Sequence, residues 1–148
     1  MNTHNDLVSN RRAFHDYEVL ETFEAGIALV GTEVKSLKSH EGSLQDAYVA
    51  PRRNELYLIN ASIPPYRFGT HENHEERRER KLLMHFYEIE KIQKLSREKG
   101  MTIIPLAFYL KKGRIKLRIA IAKGKKSYDK RAALKEKAEK RELRKIYS

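Results

Sequence analysis

The sequence predicts a mainly β fold with peripheral helices: a small antiparallel barrel of about six strands and about three helices, carrying a basic C-terminal tail. Three observations lead there. Arg114 to Ala122 alternates strictly, with Ile115, Leu117, Ile119 and Ile121 on one face and Arg114, Lys116, Arg118 and Ala120 on the other; this is a half-buried strand with a basic outer face. Strand-like stretches bounded by turn residues occur at both ends of the chain, and one good helical pattern lies between them. Beyond Lys123-Gly124-Lys125-Lys126 nothing is apolar enough to build more core.

Composition sets the outer bounds. A chain of 148 residues with 40% hydrophobic content fits one domain with one modest core. The 31 Lys and Arg against 20 Asp and Glu give a net charge of +11, which favours a polyanionic partner, either nucleic acid or an anionic membrane surface. Residues 123–148 hold eleven basic residues against four acidic, so +7 of the +11 sits in the last twenty-six positions. No cysteine is present, which excludes disulfides and thiolate metal sites. The N-terminus is polar, and no apolar run approaches the ~20 residues a bilayer span requires, so the expectation is a soluble cytoplasmic protein with no membrane partner.

Taken in order, residues 1–9 lack periodicity and are expected to form a mobile lead-in. Residues 17–22 alternate as an edge strand, and Phe23-Glu24-Ala25-Gly26 makes a turn. Residues 27–37 read as a longer β-branched strand, with Glu33 and Lys35 facing away from Val34 and Gly31 marking a bulge. Residues 43–46 suit a single helical turn, while 47–50 and 55–61 are two strands joined at Pro51-Arg52-Arg53-Asn54. Pro64 and Pro65 keep 63–66 out of any inner strand.

Asn73 is read as an N-cap, with Glu76 three positions on, opening one or two helices within 75–99 that break near 85–87. Leu82, Phe86, Ile89 and Ile92 supply the apolar face, and Gly100 is the stop. Residues 101–110 then pair with 114–122 through a tight Lys111-Lys112-Gly113 turn. An order that begins and ends with β fits an OB-like small antiparallel barrel over residues 10–122, a fold that offers one sheet face to nucleic acid. Residues 123–148 form a basic hinge and tail. Like-charged pairs Lys137/Arg141 and Lys140/Arg144 weaken a helix there, so the tail is expected to be disordered alone and helical on binding.

Catalytic chemistry finds little support. His71 and His74, beside Glu72, Glu75 and Glu76, have a spacing that a zinc site or nuclease can use, yet no third convergent ligand lies nearby. No Gly-rich phosphate loop precedes a helix, and no Ser, His and Asp grouping follows from spacing, so neither an enzyme nor a cofactor is expected. RNA binding is better supported. Lys116, Arg118, Lys123, Lys125 and Lys126 follow a phosphate path from sheet to hinge, and Gly124 lets a backbone approach closely. Tyr109 and Tyr128 are candidates for stacking on unpaired bases. Arg78, Arg80 and Lys81 read as surface charges, and Leu82 and Leu83 as core. A general OB-type single-strand RNA binder or a ribosome-associated structural protein stays open as the alternative.

Several motifs in collinear order from Asn10 onward match a known pattern. They include Asn10-Arg-Arg-Ala-Phe-His15-Asp-Tyr17, Phe23-Glu-Ala-Gly26, Gly31-Thr-Glu-Val-Lys-Ser-Leu37, Gly42-Ser-Leu-Gln-Asp-Ala-Tyr48, Arg80-Lys-Leu-Leu83 and Ala122-Lys-Gly-Lys-Lys-Ser-Tyr-Asp-Lys-Arg131. Together they resemble the small protein B, or SsrA-binding protein, family of bacteria. The resemblance implies an OB-like barrel that binds the tRNA-like part of transfer-messenger RNA and helps it enter stalled ribosomes for trans-translation. It also implies the small ribosomal subunit and its RNA as partners, with alanyl-tRNA synthetase and elongation factor Tu engaged indirectly. Carried over by motif, Asn10, His15, Glu24 and Leu83 form the RNA-binding face, Leu83 supporting it from beneath, and Lys116, Lys123, Lys125 and Lys126 hold phosphates. Tyr128, Asp129, Lys130 and Arg131 would lie near the decoding region, with Ile146 anchoring the tail in the messenger channel. The chain departs from that pattern at Thr32, Glu76 and Tyr128.

Overall fold

The computed structural model describes residues 6–69 and 73–124. Its backbone is one seven-stranded antiparallel sheet in the order β1-β6-β7-β2-β5-β4-β3, with three helices. The long hairpin of β6 (Met101–Lys111) and β7 (Arg114–Gly124) occupies the middle of the molecule. Lys112 and Gly113 form its two-residue turn, both with positive φ (50° and 76°), the backbone twist that matches two right-twisted strands. Phe108 lies opposite Leu117, and the ladder slips between Pro105 and Ala107, where proline has no N–H to give.

β2 (Tyr17–Ile27) is an inner strand, contrary to the edge strand and turn expected there. It pairs with β7 from Tyr17 opposite Gly124 to Gly26 opposite Lys116. Alternation carries straight through Phe23, Ala25 and Ile27, which all join the core. Gly26 serves close approach instead of a turn: a Cβ there would sit 3.2 Å from both the Cβ and the carbonyl oxygen of Leu83 on β5 (Arg80–Leu83).

The expected strand over 27–37 is replaced by helix α2 (Gly31–Lys38). Glu33, Ser36 and Leu37 are its buried positions, a helical spacing that overrides the β-branched Val30, Thr32 and Val34. Gly31 is the first helical residue and no bulge. The helix expected to open at Asn73 does not form either. The Asn73 amide instead clasps a loop, accepting from the Tyr66 N–H and donating to the Tyr66 carbonyl, both at 3.0 Å. β5 follows, and α3 (Phe86–Ser96) begins only after His85, whose N–H is received by Glu88 at 3.3 Å.

β3 (Tyr48–Arg52) and β4 (Glu55–Ile59) form the second hairpin, turned at Arg53 and Asn54. Ser43 makes an isolated bridge to Ser62, and the turn after it runs from Leu44 to Ala47, whose N–H donates to the Leu44 carbonyl at 3.1 Å; with Asp46 at φ 64° it is not helical. Residues 6–9 of the expected lead-in are strand β1 (Asp6–Ser9), which pairs with β6 and buries Leu7 and Val8. The sheet does not close: β1 and β3 are its two margins, and β3 packs against β6 without pairing. Within the curl lie Leu37, Leu56, Leu58, Ile92, Phe108 and Ile119, each worth roughly 1.5–3 kcal/mol on burial. A second cluster sits on the outer face, where α1 (Ala13–Asp16) lays Ala13 over Ile104, Leu106, Ala120 and Ala122. The basic outer face expected of β7 therefore runs from Arg114 to Arg118 and stops under α1.

One buried ionic group joins these parts. Arg80, expected at the surface, is fully buried, and its Nε donates to Glu33 Oε2 at 2.5 Å. Arg78 Nη2 and the Val30 N–H donate to the other carboxylate oxygen. Burial alone would raise the Glu33 carboxyl, but bonds from Arg78, Val30 and Arg80 outweigh it and hold it below the ordinary 4.5. The Arg80 guanidinium also donates to the carbonyls of Ala61 and Glu76, both at 3.1 Å. Removing one member strands a buried charge, so Arg80→Leu is expected to lower unfolding free energy by about 3–5 kcal/mol in urea melts. Adding Glu33→Leu should recover part of that loss. Because Glu33 titrates lower in the folded state, its contribution is complete above about pH 5 and is lost as pH falls through the depressed value. Glu33→Gln should accordingly flatten the acid limb of the stability curve measured from pH 6 to 3.

Candidate nucleic-acid interface

The outer face of the sheet presents one continuous row across β5, β2, β7 and β6. Registration sets Leu83 beside Gly26, Gly26 beside Lys116, Glu24 beside Arg118 and Lys116 beside Tyr109. Leu83 was expected in the core, supporting this face from below. It is instead 54% exposed on it, because Arg80 and Leu82 take the inward positions of β5.

Glu24 is the acidic member of this basic row. Lys111 Nζ donates to its Oε2 at 3.0 Å, and this bond first, then the neighbouring Tyr109 hydroxyl, holds the carboxyl below its ordinary value. A pocket of about 400 Å³ opens between Glu24, Tyr109, Lys111 and Arg118. A groove of about 630 Å³ runs on Glu24's other side past Lys116, Leu83 and Lys81 toward His85 and Tyr87. Glu24 thus stands on the ridge between two open depressions, ionised, with cations around it. Tyr109 is not a free stacking surface: it is 7% exposed, with the Arg118 guanidinium 4.6 Å above its ring. Burial, then the hydrogen bond to Glu24, pushes its phenol up.

The remaining expected residues lie at the far end of β2 and β7. Lys123 is opposite Glu18. His15 is exposed on α1, where Nδ1 donates to Asp16 at 2.9 Å. Asn10 turns the chain from β1 into α1: its side chain donates to the Pro105 carbonyl at 2.9 Å and its N–H to the Leu106 carbonyl at 2.7 Å. It also lines a cleft of about 290 Å³ with Arg12, Asp16 and Gln45. From Tyr17 to Glu24 the strand advances roughly 20 Å at ~3.3 Å per residue. The structure therefore brings Glu24, Leu83 and Lys116 together, and sets Asn10, His15 and Lys123 apart from them. Lys125, Lys126, Tyr128, Asp129, Lys130, Arg131 and Ile146 lie outside the described residues, as does the expected tail helix.

His74 is taken up structurally. Its Nε2 donates to the Ile63 carbonyl at 2.7 Å, and its Nδ1 accepts from the Thr32 hydroxyl at 2.8 Å. His71 and Glu72 are outside the described residues, among which no group of three His, Asp or Glu is placed to hold a metal ion. No described helix is long and apolar enough to cross a membrane. The sequence reading missed His85, Phe86 and Tyr87, with Phe86 assigned to the apolar face of a helix. Phe86 is 61% and Tyr87 69% exposed, and the available signal was three successive rings at a helix start.

The chain resembles known proteins along most of its length. A family model described as SmpB protein matches residues 7–148. An SsrA-binding protein of Protochlamydia amoebophila is 64% identical over 140 residues, covering 95% of this chain and 92% of the relative. An SsrA-binding protein of Streptomyces coelicolor is 49% identical over 142 residues, covering 96% and 89%. Among solved structures, a chain from "tmRNA-SmpB: a journey to the center of the bacterial ribosome" superposes with a TM-score of 0.68 at 45% identity, covering 79% of this chain and 82% of that one. With a sheet whose outer face gathers a carboxylate, a leucine and a row of cations, and with this likeness across nearly its whole length, the chain belongs to the SmpB family.

Proposed function

We propose that this protein binds the tRNA-like part of transfer-messenger RNA and delivers it to stalled ribosomes for trans-translation, acting in the cytoplasm as a binding protein and not an enzyme. The observation that carries the reading is the convergence of Glu24, Leu83 and Lys116 on one outer sheet face. Each supplies something a folded RNA requires. Lys116 and its basic neighbours neutralise phosphates, giving affinity that falls with salt. The Glu24 carboxylate accepts hydrogen bonds from base edges, which no cation does, and so discriminates among bases. Exposed Leu83 offers an apolar surface to an unstacked base or a sugar. Family membership supports the same partner, and the relatives' description as SsrA-binding proteins names its class.

Asn10, His15 and Lys123 at the other end of β2 and β7 form a second contact region, continued by Lys125 and Lys126. The two regions, roughly 20 Å apart, suit a rigid, folded RNA better than a short single strand. The tail from Tyr128 onward serves the ribosome, with Tyr128, Asp129, Lys130, Arg131 and Ile146 carrying contacts to the small subunit.

Lys116→Ala should weaken binding to a tRNA-like-domain transcript and reduce the slope of log affinity against log salt by about 1, read in filter-binding titrations. Glu24→Ala should relax base preference while leaving that slope unchanged. Truncation after Asp129 should keep RNA affinity and abolish peptide tagging in a stalled-translation assay; equal loss of RNA affinity would refute the division into two modules. An unstructured oligonucleotide that competes as well as the folded transcript would refute recognition of a tRNA-like shape.

A further inference from the structure

The groove beside Glu24 ends at an aromatic lip that none of the contacts above uses. His85 and Tyr87 stack with ring centroids 5.6 Å apart and planes only 10° from parallel. Tyr87 is nevertheless 69% exposed. With one face turned to His85, exposure of that extent has to come from its edge and opposite face. A ring held parallel to another and open on its far side is the beginning of a stack, lacking its next member.

The surroundings select what that member is. Lys116 and Lys81 line the same groove, and Leu83 forms part of it. The three acids there are already engaged: Glu24 accepts from Lys111 at 3.0 Å, Glu55 lies 3.7 Å from Lys81, and Glu88 receives the His85 N–H. A net charge of +11 on the chain opposes a cationic partner and favours a polyanion whose parts include flat, polarisable rings. Unpaired RNA has both, and stacking on an aromatic side chain is how proteins hold such bases without reading their sequence.

Resting on the RNA-binding reading of this face, we infer that Tyr87, braced by His85, is a stacking platform for one unpaired base of the bound RNA, whose flanking phosphates lie over Lys116. Phe86, also exposed but absent from the groove lining, takes no part and serves as the internal control.

The chain contains no tryptophan, so Tyr87→Trp places the only indole at the lip. Titrating that full-length variant with a tRNA-like-domain transcript should quench its emission with the same midpoint as binding, whereas fully paired duplex RNA should not quench it. Tyr87→Ala should bind the transcript ~5- to ~100-fold more weakly with the salt slope unchanged, and Tyr87→Phe should restore affinity because stacking needs the ring and not the hydroxyl. Phe86→Ala should bind like the parent. Emission from position 87 that is unchanged at saturating transcript, quenching by duplex as strong as by transcript, or a Tyr87→Ala variant within twofold of the parent overturns the platform. If Lys116→Ala still weakens binding in those cases, the RNA face stands without it; if Lys116→Ala and Glu24→Ala both bind like the parent, the reading of the face itself falls.

Discussion

The carboxylate of Glu33, enclosed between two guanidiniums, is the constraint on which the rest of the molecule depends. An arginine in the interior is tolerable only if its charge is matched and its donors are filled, and Arg80 meets both conditions with Glu33 and the carbonyls of Ala61 and Glu76. Meeting them fixes α2, β5 and the connection into β5 relative to one another. It also fixes the phase of β5. With Arg80 and Leu82 inward, Lys81 and Leu83 have no choice but to face out; a slip of one residue would bury the lysine and hide the leucine. The outward row that carries Leu83 is thus set from the opposite side of the sheet.

On that outer face the charges are arranged as partners of one another. Glu24 is satisfied by Lys111 and Tyr109, and Arg118 lies over the Tyr109 ring with Asp6 3.9 Å away. Of these, the exposed Lys111–Glu24 pair contributes little to folding. The effect of these contacts is on geometry, since they hold the Lys111 ammonium and the Arg118 guanidinium beside fixed partners. The two depressions flanking Glu24 keep that carboxylate approachable from both sides.

How far the sequence revealed this depends on what each element buries. The β6 and β7 hairpin was legible because strict alternation over Arg114 to Ala122 followed a tight Lys111-Lys112-Gly113 turn, and the β3 and β4 hairpin because a polar turn separated two apolar runs. Helix α2 was misread since Val30, Thr32 and Val34 favour strands by propensity, while the decisive fact, a carboxylate at Glu33 waiting for arginines 45 and 47 residues away, is tertiary. β5 was hidden for the same reason: a buried arginine reads as surface. Motif resemblance singled out Glu24, Leu83 and Lys116, yet neither resemblance nor periodicity showed that Leu83 faces out or that Tyr109 is closed off by Arg118.

An open sheet carries a liability that a closed one avoids, and this chain has blunted it at both margins. β3 ends in Pro51-Arg52, so one of its outward positions has no N–H to offer and the next is charged and bulky. β1 is four residues long and breaks register after Asp6. Neither rim presents the long, flat ladder that a second copy would need to zip onto. Among the described residues, the backbone left open for another strand to extend the sheet is therefore short at both rims.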